Sequence, residues 1–197
     1  RYLMSEMSGR TTVIAKISDI APEITKTSPE AKAILAKLKE LEHEGYQFES
    51  ADASFELMVL NVLGRYKPHF KLQMYKTSGE HPSPDGEMSA FALIKVEVNG
   101  NAEMAAAVGN GPVNALDMAM RKALTIFYPE LKNVYLTDYK VRVLSGDQAT
   151  GAKVRVLIEN TDGKSVWTTV GVSTDIIEAS WIALVDAIEY YLFNKER

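Results

Sequence analysis

Four consecutive residues are the best placed to do chemistry: Gly109-Asn110-Gly111-Pro112, where a buried strand should turn into a helix. Glycine permits positive φ and close backbone approach. The first turn of a helix leaves N–H groups without partners, and together these features suit a carboxylate or a phosphate. A tight strand-to-helix turn with no ligand accounts for the same residues, so two readings stand. The run is not a dinucleotide fingerprint, because G-x-G-x-x-G does not occur, and not a P-loop, because no Gly-Lys-Ser/Thr follows. A second junction, Val172-Ser173-Thr174-Asp175, places Thr174 or Asp175 to cap a helix. Leu136-Thr137-Asp138-Tyr139 opens a strand in which Tyr139, Val141 and Val143 face one way and Asp138, Lys140 and Arg142 the other. Tyr139 is then either plain core or the wall of a pocket for an aliphatic side chain.

Catalytic groupings are missing from the sequence pattern. His43, His69 and His81 fall on a helix end, a connector and a loop, without the spacing of metal ligands. The chain has no cysteine, which excludes a disulfide framework, a thiolate zinc site and a cysteine nucleophile. No G-x-S-x-G elbow is present, although a Ser–His–Asp triad is spatial and sequence leaves it open. Glu42, Glu44 and Asp147 read as solvated charges. The chain itself therefore reads as non-catalytic, with neither metal nor cofactor of its own.

The elements that must hold these junctions come in two blocks. Residues 1–69 read as helical and connecting. Ser28-Pro29-Glu30 starts a helix with a cap, a first-turn proline and an acid at the positive end of the dipole. Ile34, Leu35, Leu38 and Leu41 recur at helical spacing before Gly45. A second helix is predicted over 51–63, with Phe55, Met58, Val59 and Val62 on one face. From Phe70 the period becomes two. Lys71-Leu72-Gln73-Met74-Tyr75 and Ile94-Lys95-Val96-Glu97-Val98 alternate as strands, with a Gly- and Pro-containing loop at 78–87 between them. Asn99-Gly100 signals a hairpin, a third strand follows over about 103–109, and a helix after Pro112 carries Val113, Leu116, Met120, Ala123 and Phe127.

The pattern then recurs, with strands predicted near 134–144, 154–159 and 166–172, a hairpin signal at Asp162-Gly163 and a helix over about 175–192. The helices align at an offset of 64, as in Ala115 with Ala179 and Ala123 with Ala187. Val108-Gly109 aligns with Val170-Gly171 at 62, which predicts a two-residue shift at the junction. The predicted fold is α+β: two pseudo-symmetric βββα units, 70–130 and 131–197, preceded by a small helical subdomain over 1–69. Each unit has an apolar helix face that needs a sheet.

With 197 residues, 46% of them hydrophobic and 24% charged, the chain has the composition of a soluble globular protein. Its net charge of −4, with the signs interspersed, lacks the basic footprint of a nucleic-acid binder. No signal peptide or membrane-length apolar run is present, and a cytoplasmic location is expected. A start at Arg1 rather than Met suggests part of something longer, or a processed chain.

Several of these segments resemble the α-isopropylmalate synthase and citramalate synthase family. Gly109-Asn110-Gly111-Pro112-Val113-Asn114-Ala115-Leu116 is similar to its G-N-G-P-V-D-A-L segment, and Leu136-Thr137-Asp138-Tyr139-Lys140-Val141 to its L-x-D-Y-x-V strand. Gly171 to Trp181 resembles the start of its last helix, and Ser8-Gly9-Arg10 the opening of its linker. His43 to Glu49, with Ala53 to Leu57, resembles the citramalate synthase branch. The likeness implies linker subdomains plus the carboxy-terminal regulatory domain, without the catalytic barrel and its H-x-H motif. In the family that barrel uses a divalent metal and acetyl-CoA to extend a 2-oxo acid, pyruvate in the citramalate branch. Where some members carry an aromatic or histidine seven residues after the Ser of S-G-R, this chain has Ala15, which speaks against a linker role in catalysis.

The resemblance further implies a homodimer that binds a branched-chain amino acid, isoleucine or else leucine, as feedback inhibitor. The implied effector residues are Gly111, Val113, Asn114, Leu136, Tyr139, Val143, Thr150, Val154, Thr174 and Ile176. Helix starts would meet the carboxylate, backbone carbonyls or Asn114 the ammonium, and Leu136, Val143, Val154 and Ile176 the aliphatic tail. The family usually has Asp where this chain has Asn114, which removes a charge partner for the ammonium. A purely structural dimerisation module is the alternative.

Overall fold

The computed structural model describes residues 9–80, 89–144 and 152–197. Three helices come first: α1 (Gly9–Ile20), α2 (Pro29–Glu44) and α3 (Asp52–Val62). Strands β1 (Lys71–Glu80), β2 (Ser89–Val98) and β3 (Asn101–Gly109) lead into α4 (Pro112–Leu124). After a short 3-10 turn (Pro129–Asn133), strands β4 (Tyr135–Val143), β5 (Val154–Thr161) and β6 (Val166–Ser173) lead into α5 (Ile176–Lys195). Each trio forms an antiparallel sheet in sequence order. The α+β fold with two βββα units is therefore present. The described helices include none long and apolar enough to cross a membrane.

The duplication is stricter than the sequence suggested. Ile94 pairs with Tyr75 and Ala105, and Ile158, 64 residues on, pairs with Tyr139 and Thr169. Register irregularities fall between Leu72 and Met74 and, again 64 residues on, between Leu136 and Asp138. The helix caps Gly111 and Asp175 keep the same offset. The expected two-residue shift at the junction is thus absent. Aligning Gly109 with Gly171 misled, because each glycine makes room for a different neighbour. A Cβ on Gly109 would lie 2.6 Å from the Ala115 nitrogen, whereas one on Gly171 would lie 2.0 Å from the Ala179 carbonyl oxygen.

One core runs through both units. The inner faces of the sheets (Ala92, Ile94, Val96; Val156, Ile158, Trp167) meet α4 and α5, which pack on each other through alanines and Leu116, Met120, Leu184 and Ile188. Polar ties cross between the units. Arg121 of α4 donates to Asp117, to the Val134 carbonyl and, at 2.7 Å, to Oδ1 of Asn160 on β5. Burial raises the Asp117 carboxyl pKa while Arg121 opposes it. Tyr75 of β1 lies against Trp181 of α5, with ring centroids 5.7 Å apart.

The helices α1 to α3 form a second core around Val13, Ile17, Ile34, Leu38, Phe48, Phe55 and Val59, which includes Val170 of β6. They cover the outer face of the second sheet. Arg155 Nε donates to the Gly45 carbonyl (2.7 Å) and Lys153 Nζ to that of Glu44 (3.1 Å), so two cations meet the negative end of the α2 dipole. Gly45 itself adopts the left-handed conformation that ends α2.

Several sequence expectations need correction. β1 continues to Glu80, because Ser78 and Gly79 pair with Phe91 and Ala90, so the expected loop begins later. The irregularity after Leu72 breaks the simple alternation: Leu72 and Tyr75 pack on the core, while Met74 is exposed. The helix after Pro112 stops at Leu124, leaving Phe127 in the following turn. Glu42, read as solvated, is buried. Helix α1, unrecognised in the sequence, buries only Val13 and Ile17.

Candidate functional site

The two strand-to-helix junctions close in related ways. Gly111 caps α4 with φ −166° and ψ 172°, an extended conformation open to any residue. Gly109 is likewise absent from the positive-φ glycines, so the backbone freedom expected of this run is not used. What the run does need is space beside Gly109, where Asn114 and Ala115 approach. Asn114 Oδ1 accepts the Asn110 N–H at 3.1 Å, fixing the loop from the first turn of the helix. At the second junction Asp175, not Thr174, is the cap, and its Oδ1 accepts the Ile177 N–H at 2.8 Å. Glu178, the counterpart of Asn114 at the offset of 64, accepts from Ser173 Oγ at 3.0 Å.

The named residues fall into two groups. Gly111, Val113 and Asn114 lie at the start of α4, with Val113 packed on the main core. Around the start of α5 gather Tyr139, Val143, Val154 and Ile176. Tyr139 Oη is 2.8 Å from Ser180 Oγ, and Ser180 in turn donates to the Ile176 carbonyl at 2.6 Å. Val143 is the register partner of Val154. Val143 and Ile176 are 65% and 42% exposed. Burial raises the Tyr139 pKa and the Ser180 hydrogen bond lowers it, so the phenol stays a neutral donor or acceptor. Leu136 packs on the core beside the β4 irregularity, and Thr174 is exposed in the turn. Thr150, like His81 and Asp147, lies outside the described residues.

Sequence reading missed Ser180, although a serine inside the apolar α5 pattern is a visible irregularity. It also missed two acids on the same helix. Glu189 is buried, accepts the His69 N–H at 3.0 Å and lies 2.7 Å from His69 Nδ1. Asp186 accepts from Ser54 Oγ at 2.8 Å, and Ser54 accepts the Val170 N–H at 3.0 Å. Their three-residue spacing within an apolar helix was the available signal.

The fold and junctions define a class: a duplicated βββα domain with two unequal helix starts, carrying attached helices. Residues 49–192 match the family described as "LeuA allosteric (dimerisation) domain", and the chain belongs to that family. It is 47% identical over 196 residues to the "(R)-citramalate synthase" of Aquifex aeolicus, covering 100% of this chain and 37% of that protein. The "(R)-citramalate synthase" of Geobacter sulfurreducens is 46% identical over 196 residues, with the same coverage of each. The "2-isopropylmalate synthase" of Aquifex aeolicus is 30% identical over 199 residues, covering 100% of this chain and 35% of that protein. The chain thus spans little more than a third of the length of these relatives.

Proposed function

We propose that this chain is the regulatory part of a citramalate synthase, an enzyme that condenses acetyl-CoA with a 2-oxo acid, and that it binds a branched-chain amino acid, isoleucine before leucine. In this reading residues 1–69 link to a catalytic barrel in the same polypeptide, where the divalent metal and acetyl-CoA are used. Residues 70–197 form the effector-binding unit. The carrying observation is the Tyr139–Ser180–Ile176 chain at the start of α5, where the aliphatic Ile176 is 42% exposed. A polar anchor beside apolar surface is what a free aliphatic amino acid requires. Val154 is the register partner of Val143, and Thr174 lies in the turn before α5; Gly111, Val113, Asn114, Leu136 and Thr150 complete the proposed effector set. Inhibition follows if the effector favours one domain arrangement, with a coupling of ~1–3 kcal/mol.

The active form in this reading is a homodimer. The outer face of the first sheet supports it: Phe91, Met104 and Val108 are 39%, 52% and 64% exposed, and Phe91 and Val108 are register partners. A contiguous exposed apolar face marks an interaction surface, and a second copy of the chain would cover it. Calorimetric titration of the dimer with isoleucine, leucine and valine tests effector binding. Saturable heat with isoleucine is expected. A folded dimer that responds to none of the three would leave a structural dimerisation module.

A further inference from the structure

Between the attached helices and α5 lies an open cavity of about 250 Å³. Its wall is mostly apolar, built by Leu41, Phe48, Leu57, Met58, Val62 and Ile182. Into this wall α5 brings one carboxylate, Asp186. Its Oδ2 accepts from Ser54 Oγ, itself fixed by the Val170 N–H. Among the described residues no cationic side chain pairs with Asp186. Lys37 of α2 lines the same cavity, but its ammonium is 2.8 Å from Glu40. The other groups facing the acid are the phenols of Tyr46 and Tyr66, both with raised pKa values. On its own helix stands Glu189, held by His69 and the Phe70 N–H. Burial first, then the charge of Glu189, pushes the Asp186 carboxyl up to about 7, against the Ser54 hydrogen bond. A half-buried carboxylate in a mostly apolar wall, with one neutral donor, is costly unless a countercharge reaches it.

We propose that this cavity is a binding site for a small primary amine, whose ammonium pairs with Asp186 and whose apolar body lies against Leu57, Met58, Val62 and Ile182. A lone carboxylate in an apolar wall does not supply the oxygen cage that magnesium or calcium demands. An ammonium on an aliphatic stem satisfies both parts of the lining. The site joins α3 to α5, so occupancy tightens the contact between the helical part and the second sheet. It shares no residue with the effector group at the start of α5, and the two can fail independently.

The probe is n-butylamine, titrated into the chain and followed by calorimetry and by amide NMR shifts, with n-butanol as the uncharged control. Measurements at about pH 8 and about pH 5 bracket the Asp186 midpoint. Binding is expected at the higher pH and should weaken by ~tenfold or more at the lower, where the acid is protonated. Asp186→Asn, which keeps an acceptor for Ser54, should abolish it. Val62→Phe should block it while leaving the carboxylate in place. Butanol should bind wild type and Asp186→Asn equally weakly. No butylamine binding to folded wild type at either pH, or equal binding to Asp186→Asn, overturns the proposal.

Discussion

The outer faces of the two sheets differ, although the units beneath them are copies. On the second sheet Val170 and Leu157 lie under the attached helices, Ser54 takes the Val170 N–H, and Arg155 and Lys153 reach the end of α2. On the first sheet Met74, Phe91, Met104 and Val108 remain exposed. Duplication produced two sheets with the same need for cover. One is covered within the chain; on the proposed reading, the other is covered by a second chain.

The largest expected effect comes from charging the open face. On the proposed dimer, Val108→Asp should give monomer in sedimentation equilibrium while the circular dichroism of the fold is retained. A dimer that persists would move the interface elsewhere. Next is the packing inside the copies. Gly171→Ala drives a Cβ into the Ala179 carbonyl and should cost ~1–3 kcal/mol or more in urea unfolding. Gly111→Ala meets open space at an extended φ and should change stability little. On the covered face, Ser54→Ala leaves the Val170 N–H and Asp186 without their partner and should cost ~1–3 kcal/mol. No comparable loss is expected from a serine change on the open face, such as Ser78→Ala.

A further prediction concerns pH dependence. The Asp186 pKa is raised from 3.8 to about 7 in the folded chain, so the folded state holds its proton more tightly than the unfolded one. Its contribution is full below about pH 4 and is lost as pH rises through about 7. Asp186→Asn should therefore flatten the melting temperature across that window and stabilise the chain on its alkaline side. An unchanged slope would mean that the acid is better solvated than its surroundings indicate.

Much of this was legible in the sequence because the duplication repeats both hairpins and both helices. Asn99-Gly100 and Asp162-Gly163 marked the turns, and the helix alanines fixed the offset of 64. Glycine was the poor guide. Its role depends on which neighbour needs space, and that is a tertiary fact: Gly109 serves Asn114 and Ala115, Gly171 serves Ala179 and Ala183. β1 ran past its apparent end because cross-strand pairing to Phe91 and Ala90 outweighs the poor strand propensity of Ser78 and Gly79. Tyr139 stood out in the sequence, but its partner Ser180 lies 41 residues away and only the fold brings them together. The same holds for Ser54 and Asp186, separated by 132 residues.

The most direct measurement compares thermal unfolding of wild type and Tyr139→Ala with and without saturating isoleucine. A ligand at ~100 times its Kd stabilises by ~2.7 kcal/mol. Wild type should therefore melt several degrees higher with isoleucine, and the folded variant should lose most of that shift. Equal shifts in both proteins would remove Tyr139 from the site, and no shift in either would contradict effector binding by this domain.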